Sequence, residues 1–138
     1  MNNVSRGIRN NNPGNIRKGD PWQGLIAQSM QTDPAFCQFI SPEYGIRAMI
    51  IILRGYQRRY GLHTIRHFIA RWAPAVENDT RSYVCHVADA LGVSPDSPVD
   101  TRDRQFMIAL LQAIIRHENG CQPYGDEVFL RALELAGS

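Results

Sequence analysis

The sequence predicts a mainly α domain of the α+β class, with about five helices around a central apolar helix pair. A small N-terminal lobe, irregular or a β-hairpin, precedes them. Three observations support this prediction. The chain of 138 residues has the length of one domain, its turn-forming residues concentrate in the first 34 positions, and apolar residues recur at helical spacing from Ser41 onward. Residues 1–138 are therefore treated as a single domain.

The N-terminal lobe is polar and rich in asparagine, with six of the eight asparagines before position 16. Its breakers are three short turn sequences: Pro13-Gly14, Gly19-Asp20-Pro21 and Asp33-Pro34. Trp22 and the apolar residues of 36–40 favour an ordered segment over a disordered tail. We therefore expect residues 23–30 and 35–40 to form a short β-hairpin or an irregular ordered loop.

Each helix that follows has a start and a stop signal. Ser41-Pro42-Glu43 places a cap, a first-position proline and an acid at the start of the first helix, which stops at Gly61. The second helix begins at Thr64 and ends at Pro74. The third is capped by Asp79 or Thr80 and stops at Gly92.

The fourth helix begins near Thr101, runs to Glu118 and is closed by Asn119-Gly120, and the fifth spans Asp126 to Leu135. The first and fourth helices form the predicted central pair. Residues 50–53 are all apolar, and residues 107–115 are apolar except for Gln112.

Composition excludes several classes of protein. A net charge of +2 is too small for a nucleic-acid coat, so no nucleic-acid partner is expected. No apolar run approaches the roughly 18–20 residues of a membrane span, and the N-terminus does not resemble a signal peptide. Three cysteines exclude a complete disulfide framework. We expect a monomer that is made in the cytoplasm.

Metal, cofactor and nucleophile motifs are also missing. His63 and His67 have the i, i+4 spacing of two helical metal ligands, but Thr64 stands where a metalloprotease has glutamate, and no third ligand follows nearby. The sequence contains no Gly-x-Ser-x-Gly motif, no catalytic-cysteine signature and no glycine-rich phosphate loop. We expect no metal and no cofactor.

The carboxylates remain, and Glu118 has the most suggestive position because it ends the most apolar helix. Partial removal from water disfavours a charged carboxylate, as does the negative end of a helix dipole. A carboxyl that holds its proton can donate it to a leaving oxygen, as glycosidic cleavage requires. The competing interpretation is a solvated glutamate beside a glycine cap. Other candidate acids are Asp20, Asp33, Glu43, Glu77 and Asp79.

The opening run Arg6-Gly7-Ile8-Arg9-Asn10-Asn11-Asn12-Pro13-Gly14-Asn15-Ile16-Arg17 resembles the start of a family of phage-encoded proteins, many described as virion structural proteins. The resemblance continues through further blocks: Ile46-Arg47-Ala48, Thr64-Ile65, Arg71-Trp72-Ala73-Pro74, Glu77-Asn78-Asp79-Thr80 with Tyr83, and Glu118-Asn119-Gly120 with Gln122-Pro123-Tyr124. It implies phage or prophage origin, synthesis in the host cytoplasm, and other virion proteins as partners.

Parts of the chain also resemble lysozyme-like peptidoglycan hydrolases. Residues 113–120 are similar to the helix of lytic transglycosylases that ends in Glu-Ser-Gly, with Asn119 in place of serine. Asn15-Ile16-Arg17-Lys18 and the segment from Asn78 to Tyr83 are similar to two segments of glucosaminidases. In those enzymes the catalytic glutamate precedes the first segment. In this chain the residues that precede it, 1–9, contain no acid. Glu118 then serves from the far end of the chain, as in a circular permutation, or Glu43 or Glu77 replaces it, or catalysis is absent.

This resemblance implies a muramidase or lytic transglycosylase, such as an endolysin, that acts at the cell wall or in the virion. Peptidoglycan strands would lie between the lobe and the helices, where Glu118 protonates the oxygen between N-acetylmuramic acid and N-acetylglucosamine. A second acid (Asp79, Glu77 or Asp20) would activate water, or the sugar's own hydroxyl would attack and form an anhydro product. The alternative is a non-catalytic virion structural or wall-binding module. The expected sugar-binding residues are Asn12, Asn15, Asn78, Thr80, Tyr83 and Tyr124.

Overall fold

The computed structural model describes residues 4–75 and 78–137, and helices dominate both ranges. The helices are α1 (Arg6–Arg9), α2 (Pro42–Tyr60), α3 (Ile65–Trp72), α4 (Thr80–Leu91), α5 (Arg104–Asn119) and α6 (Asp126–Leu135). The predicted mainly helical class is therefore confirmed. The short helix α1 is an addition that the sequence analysis did not predict.

Most of the predicted helix ends are confirmed by the caps. Gly61 and Gly92 adopt left-handed conformations at the ends of α2 and α4, with φ of 66° and 68°. The side chain of Thr64 accepts a hydrogen bond from the His67 N–H at the start of α3. Asp79 caps α4 by accepting from the Ser82 N–H, which decides between the two predicted caps.

The start of α5 lies three residues later than the predicted start near Thr101. Asp103 caps this helix, since its carboxylate accepts a hydrogen bond from the Phe106 N–H. Thr101 is buried instead, and both its N–H and its hydroxyl donate to Gln57 Oε1, over 2.7 and 2.9 Å. Thr101 therefore binds α2, and Asp103 caps α5 in its place.

The core lies between the helices and includes the predicted central pair. α2 packs on α6 and on α5, while α4 packs on α3 and α5. The large, fully buried side chains of the central pair are Ile46, Met49, Ile50 and Leu53 from α2, and Met107, Leu110, Leu111, Ile114 and Ile115 from α5. In the described parts of the chain, no helix is long and apolar enough to cross a membrane.

The predicted hairpin is present only as a fragment. Leu25 and Phe39 form an isolated antiparallel bridge, but residues 28–30 form a 3-10 turn instead of continuing the strand. The first residues of the 35–40 segment pair with the loop around Ile16, because the Cys37 N–H donates to the Ile16 carbonyl. The segment thus divides its backbone hydrogen bonds between two partners, and neither pairing extends into a regular strand.

The N-terminal lobe packs closely on the helices because glycines leave room for it. A Cβ atom at Gly45 of α2 would lie 1.9 Å from the Asn11 carbonyl oxygen, and one at Gly14 would lie 2.8 Å from the Trp72 ring. Such distances are far below van der Waals contact, so a side chain at Gly45 would displace the Asn11 backbone, and one at Gly14 would displace the Trp72 ring. These two contacts place the lobe against α2 and α3, at the edge of the candidate site.

Candidate active site

A cleft of about 490 Å³ lies between the N-terminal lobe and the helical body. The lobe supplies one wall and the helices supply the other, and the C-terminal end of α5 lies between them. Residues from the lobe are Ser5, Arg6, Gly7, Gly14, Asn15, Ile16, Arg17 and Phe36. Residues from the helical body are Ile52, Tyr56, Trp72, Ala73, Asn78, Glu118 and Asn119.

Glu118 lines this cleft from the last turn of α5, and its carboxyl group is held on both oxygens. The Asn15 side-chain amide donates to Oε1 over 2.8 Å, and the Tyr83 hydroxyl donates to Oε2, also over 2.8 Å. Residue 118 is half-buried. Three segments that are distant in sequence therefore meet at one carboxyl group, which has a fixed orientation toward the cleft.

Tyr83 holds the Glu118 carboxyl group from the protein interior and does not itself line the cleft. Its side chain is 1% exposed, and its ring stacks on that of His117 at a centroid distance of 3.7 Å. Burial, followed by the negative charge and hydrogen bond of Glu118, raises the pKa of Tyr83 far above its ordinary value. The phenol thus stays protonated and remains a hydrogen-bond donor to the carboxylate.

Asn15 is placed by a network that connects the N-terminal lobe to the end of α5. The Asn119 amide donates to the carbonyls of Pro13 and Ile115, over 2.8 and 2.9 Å, and its oxygen accepts from the Ser5 hydroxyl over 2.6 Å. Asn15 itself adopts a left-handed conformation with φ of 53°, which asparagine tolerates better than most residues. The residue after Glu118 therefore fixes the loop that carries one of the partners of Glu118.

The walls of the cleft combine aromatic rings with cations. Trp72 and Tyr56 contribute aromatic surface from the helical side, and Phe36 contributes it from the lobe. The guanidinium groups of Arg6 and Arg17 lie 4.8 and 4.9 Å from the centroid of the Phe36 ring. Sequence analysis missed this set, since helical periodicity assigns Trp72 to the core and says nothing about which side chains in an irregular lobe face the helices.

Of the six predicted sugar-binding residues, Asn15 and Asn78 line the cleft. Asn12 is completely buried, and its amide bonds to the backbone of Ile16 and Cys37, so it shapes the loop instead. Tyr83 is buried beneath Glu118, where no sugar can stack on it. The remaining two lie outside the cleft lining. The Thr80 hydroxyl donates to the Ala73 carbonyl, and Tyr124 packs edge-on against Phe129.

Among the described residues, Glu118 is the only acid that lines the cleft. The Asp79 carboxylate caps α4, Glu43 lies in the first turn of α2, and Asp20 lies in an exposed turn of the lobe. Glu77, another predicted acid, lies outside the described residues. Asp33 accepts hydrogen bonds from the Ala35 and Phe36 N–H groups in the lobe and lines a different, smaller cleft. Of the predicted acids whose positions are described, only Glu118 lines this cleft.

The histidines do not form a metal site in the described ranges, where no cluster of three or more histidine, cysteine or acidic side chains occurs. The Nδ1 atom of His63 lies 3.0 Å from the Gly61 carbonyl oxygen. His86 and His117 approach each other with their Nδ1 atoms 3.0 Å apart. Burial, followed by the charge of His86, lowers the pKa of His117.

No protein-family model matches the chain. The chain is similar to a bacteriophage protein, with 41% identity over 128 residues, which are 90% of this chain and 77% of the relative. That relative is Protein P5 of Pseudoalteromonas phage PM2. The chain therefore belongs to the family of this phage protein, and the predicted resemblance to phage-encoded proteins is confirmed. The lysozyme-like part of the resemblance stays a prediction.

Proposed function

We propose that the protein is a phage-encoded glycosidase that cleaves peptidoglycan at the β-1,4 bond between N-acetylmuramic acid and N-acetylglucosamine. Glu118 is the general acid of this reaction. The observation that carries the proposal is the Glu118 carboxyl in the cleft, with one oxygen bonded to Asn15 and the other to Tyr83. Such an arrangement holds an acid in one orientation, which general acid catalysis requires.

The residues that meet at Glu118 also support the lysozyme-like assignment. The resemblance selects three separate segments, around Asn15, around Asn78 to Tyr83, and at Glu118. In the structure, side chains from all three contact each other or line one cleft. An acid supplied from the C-terminal part of the chain to a loop near the N-terminus is the arrangement that a circular permutation predicts.

The walls of the cleft suit a glycan. Trp72 and Tyr56 offer aromatic surface for stacking on sugar faces. The Asn78 side chain is exposed and donates a weak hydrogen bond to the Pro74 carbonyl over 3.3 Å, so its amide oxygen can accept from a hydroxyl or acetamide group. Polar amides beside aromatic rings are the combination that recognises N-acetylated sugars.

In the proposed reaction, protonated Glu118 donates its proton to the glycosidic oxygen. The bond from that oxygen to C1 of the muramic acid breaks, and N-acetylglucosamine leaves as an alcohol. An oxygen nucleophile then bonds to C1 and gives its proton to the Glu118 carboxylate, which restores the acid. Because Glu118 is the only acid of the described cleft lining, we propose the C6 hydroxyl of the same sugar as nucleophile, which yields a 1,6-anhydro product.

Peptidoglycan cleavage by four proteins tests this proposal: the wild type, Glu118→Gln, Glu77→Gln and, as a matched control, Glu134→Gln. Glu134 is exposed and pairs with Arg131 on α6, away from the cleft. The wild type and the control should release soluble fragments with anhydro ends, detected by mass spectrometry, and Glu118→Gln should release almost none. Glu77→Gln should remain active.

Other outcomes change the account in defined ways. Reducing ends together with an inactive Glu77→Gln variant would replace the anhydro route by hydrolysis with Glu77 as the second acid. Cleavage by Glu118→Gln at the wild-type rate would remove Glu118 from the mechanism. No cleavage by the wild type, across walls from several bacteria, would favour the non-catalytic virion or wall-binding module.

A further inference from the structure

One face of α2 leads from the N-terminal lobe, through the cleft, to the protein surface. Gly45 and Met49 lie against the lobe. Ile52 and Tyr56 follow on the same face, at the three- and four-residue spacing of a helix, and line the cleft. Tyr60 is the next residue in this row, about 6 Å further along the helix axis, and its side chain is 53% exposed. The cleft therefore opens toward the C-terminal end of α2.

Arg71, near the end of α3, lies across the outer part of this row. Its guanidinium carbon is 3.8 Å from the centroid of the Tyr60 ring and 5.6 Å from that of the Tyr56 ring. Among the described residues, the Arg71 side chain has no ion pair and no hydrogen-bond partner. The contact with the two rings thus positions the guanidinium group, while its N–H groups remain available to a ligand.

Tyr60 and Arg71 extend the aromatic wall of the cleft onto the surface. The wall inside the cleft consists of Trp72 and Tyr56, and Trp72 directly follows Arg71 in α3. An aromatic ring stacks on the C–H face of a sugar, and a guanidinium group donates hydrogen bonds to hydroxyl and acetamide oxygens. This outer surface therefore has the same suitability for a glycan as the cleft itself.

Single-stranded nucleic acid is the other polymer that stacks on aromatic rings beside arginines. Its affinity depends on the neutralisation of many phosphates by basic residues. A net charge of +2 gives little attraction of this kind, whereas a neutral glycan requires none. The charge of the protein and the continuity with the cleft both favour the glycan.

We propose that Tyr60 and Arg71 form an outer subsite, which binds the part of a glycan strand that extends beyond the cleft. The protein then binds long glycan strands in preference to short ones. This inference rests on the proposed function, since it names the substrate feature, strand length, that the same binding surface recognises.

Binding of neutral sugar oligomers tests the outer subsite without turnover. The Glu118→Gln protein is titrated by calorimetry with trimers and with hexamers of β-1,4-linked N-acetylglucosamine, which have the acetamide groups and the linkage of the proposed substrate. A trimer fits within the cleft, whereas a hexamer bound there also reaches Tyr60. The hexamer should therefore bind about tenfold more tightly than the trimer.

Variants in the same background locate the effect. Tyr60→Ala should lose about tenfold in affinity for the hexamer and keep its affinity for the trimer, which also shows that the cleft is intact. Tyr60→Phe keeps the ring and should bind both oligomers as before, while Arg71→Gln should weaken hexamer binding about threefold. The matched controls are Leu130→Ala on α6 and Arg104→Gln on α5, because both residues are exposed and lie outside the lining of either cleft.

Equal affinity for trimer and hexamer, absence of binding by either, or a length preference that survives Tyr60→Ala would overturn the inference. Tighter binding of single-stranded DNA than of the hexamer would also overturn it and assign this surface to nucleic acid. A length preference that depends on Tyr60, without cleavage of peptidoglycan by the wild type, would support the subsite and refute the proposed glycosidase. Cleavage by the wild type without any length preference would do the reverse.

Discussion

Replacing Tyr83 with phenylalanine removes a single hydroxyl group, and with it the 2.8 Å hydrogen bond to Glu118. The ring is buried and should keep its stacking on His117, so no cavity forms. A hydrogen bond to a charged group contributes roughly 1.5–3 kcal/mol. We therefore expect the free energy of unfolding to fall by about 2 kcal/mol, measured by urea denaturation at pH 7. Turnover on peptidoglycan should fall as well, because the acid loses one of its two supports.

A double-mutant cycle assigns this loss to the contact with Glu118. In a Glu118→Ala background the Tyr83 hydroxyl has already lost its carboxylate partner and keeps only its contact with the Trp72 side chain, so Tyr83→Phe should cost clearly less there, about 0.5–1 kcal/mol. Loss of the same 2 kcal/mol in both backgrounds would refute the reasoning, since the hydroxyl would then act through some other group.

Tyr124→Phe is the matched control for the same chemical change. The Tyr124 hydroxyl is buried and has no hydrogen-bond partner among the described residues. Burial, followed by the nearby Cys121 and Glu43, raises the pKa of this phenol to about 12. Removing an unsatisfied buried hydroxyl should leave stability unchanged or raise it slightly. An equal loss in both tyrosine variants would contradict the account.

Three further predictions follow from the packing of the lobe and from His117. Asn119→Ala should lower the free energy of unfolding by about 2–3 kcal/mol in urea titrations, because three hydrogen bonds to the lobe and to α5 are lost; an unchanged midpoint would contradict this. Gly45→Ala should displace the lobe, since the added Cβ would lie 1.9 Å from the Asn11 carbonyl oxygen, and should increase hydrogen exchange there, whereas native exchange would refute the close approach. Because the pKa of His117 is lowered in the fold, the unfolded chain binds more protons below about pH 6.5, so stability should fall as the pH falls from 7 to 5. The His117→Gln variant should lose part of this slope, and an identical slope would count against the assignment.

The helices were predictable because their signals are local. Thr64, Asp79 and Gly92 cap or end helices through contacts within a few residues of their own position. The start of α5 was misplaced because a tertiary contact overrode the local signal: Thr101, a plausible cap by sequence, bonds to Gln57 of α2. The hairpin failed for a similar reason, since residues 35–40 pair with two different segments.

Glu118 could be singled out from its position at the end of the most apolar helix, but its partners were predictable only where a resemblance drew attention to them. Residue spacing does not show that Asn15 and Tyr83 meet Glu118, since they lie 103 and 35 positions away. Asn12 and Asn15 have the same side chain and lie three positions apart, but one holds the loop together and the other faces the cleft. Only the backbone path of the lobe distinguishes them. The arginines on Phe36 carried no signal at all, because exposed arginines are most often merely solvated.

The most direct test of the central claim is the rate at which purified peptidoglycan releases soluble fragments, with wild type beside Glu118→Gln. Side-chain shape is nearly unchanged in this variant, but the side chain can no longer donate a proton as an acid, and its NH2 group cannot accept the hydrogen bond from Asn15 or Tyr83 that one carboxylate oxygen accepts. We expect a loss of at least a hundredfold, with binding to the wall retained. Equal release by the two proteins would show that Glu118 is not the acid, and release by neither would contradict the proposed glycosidase.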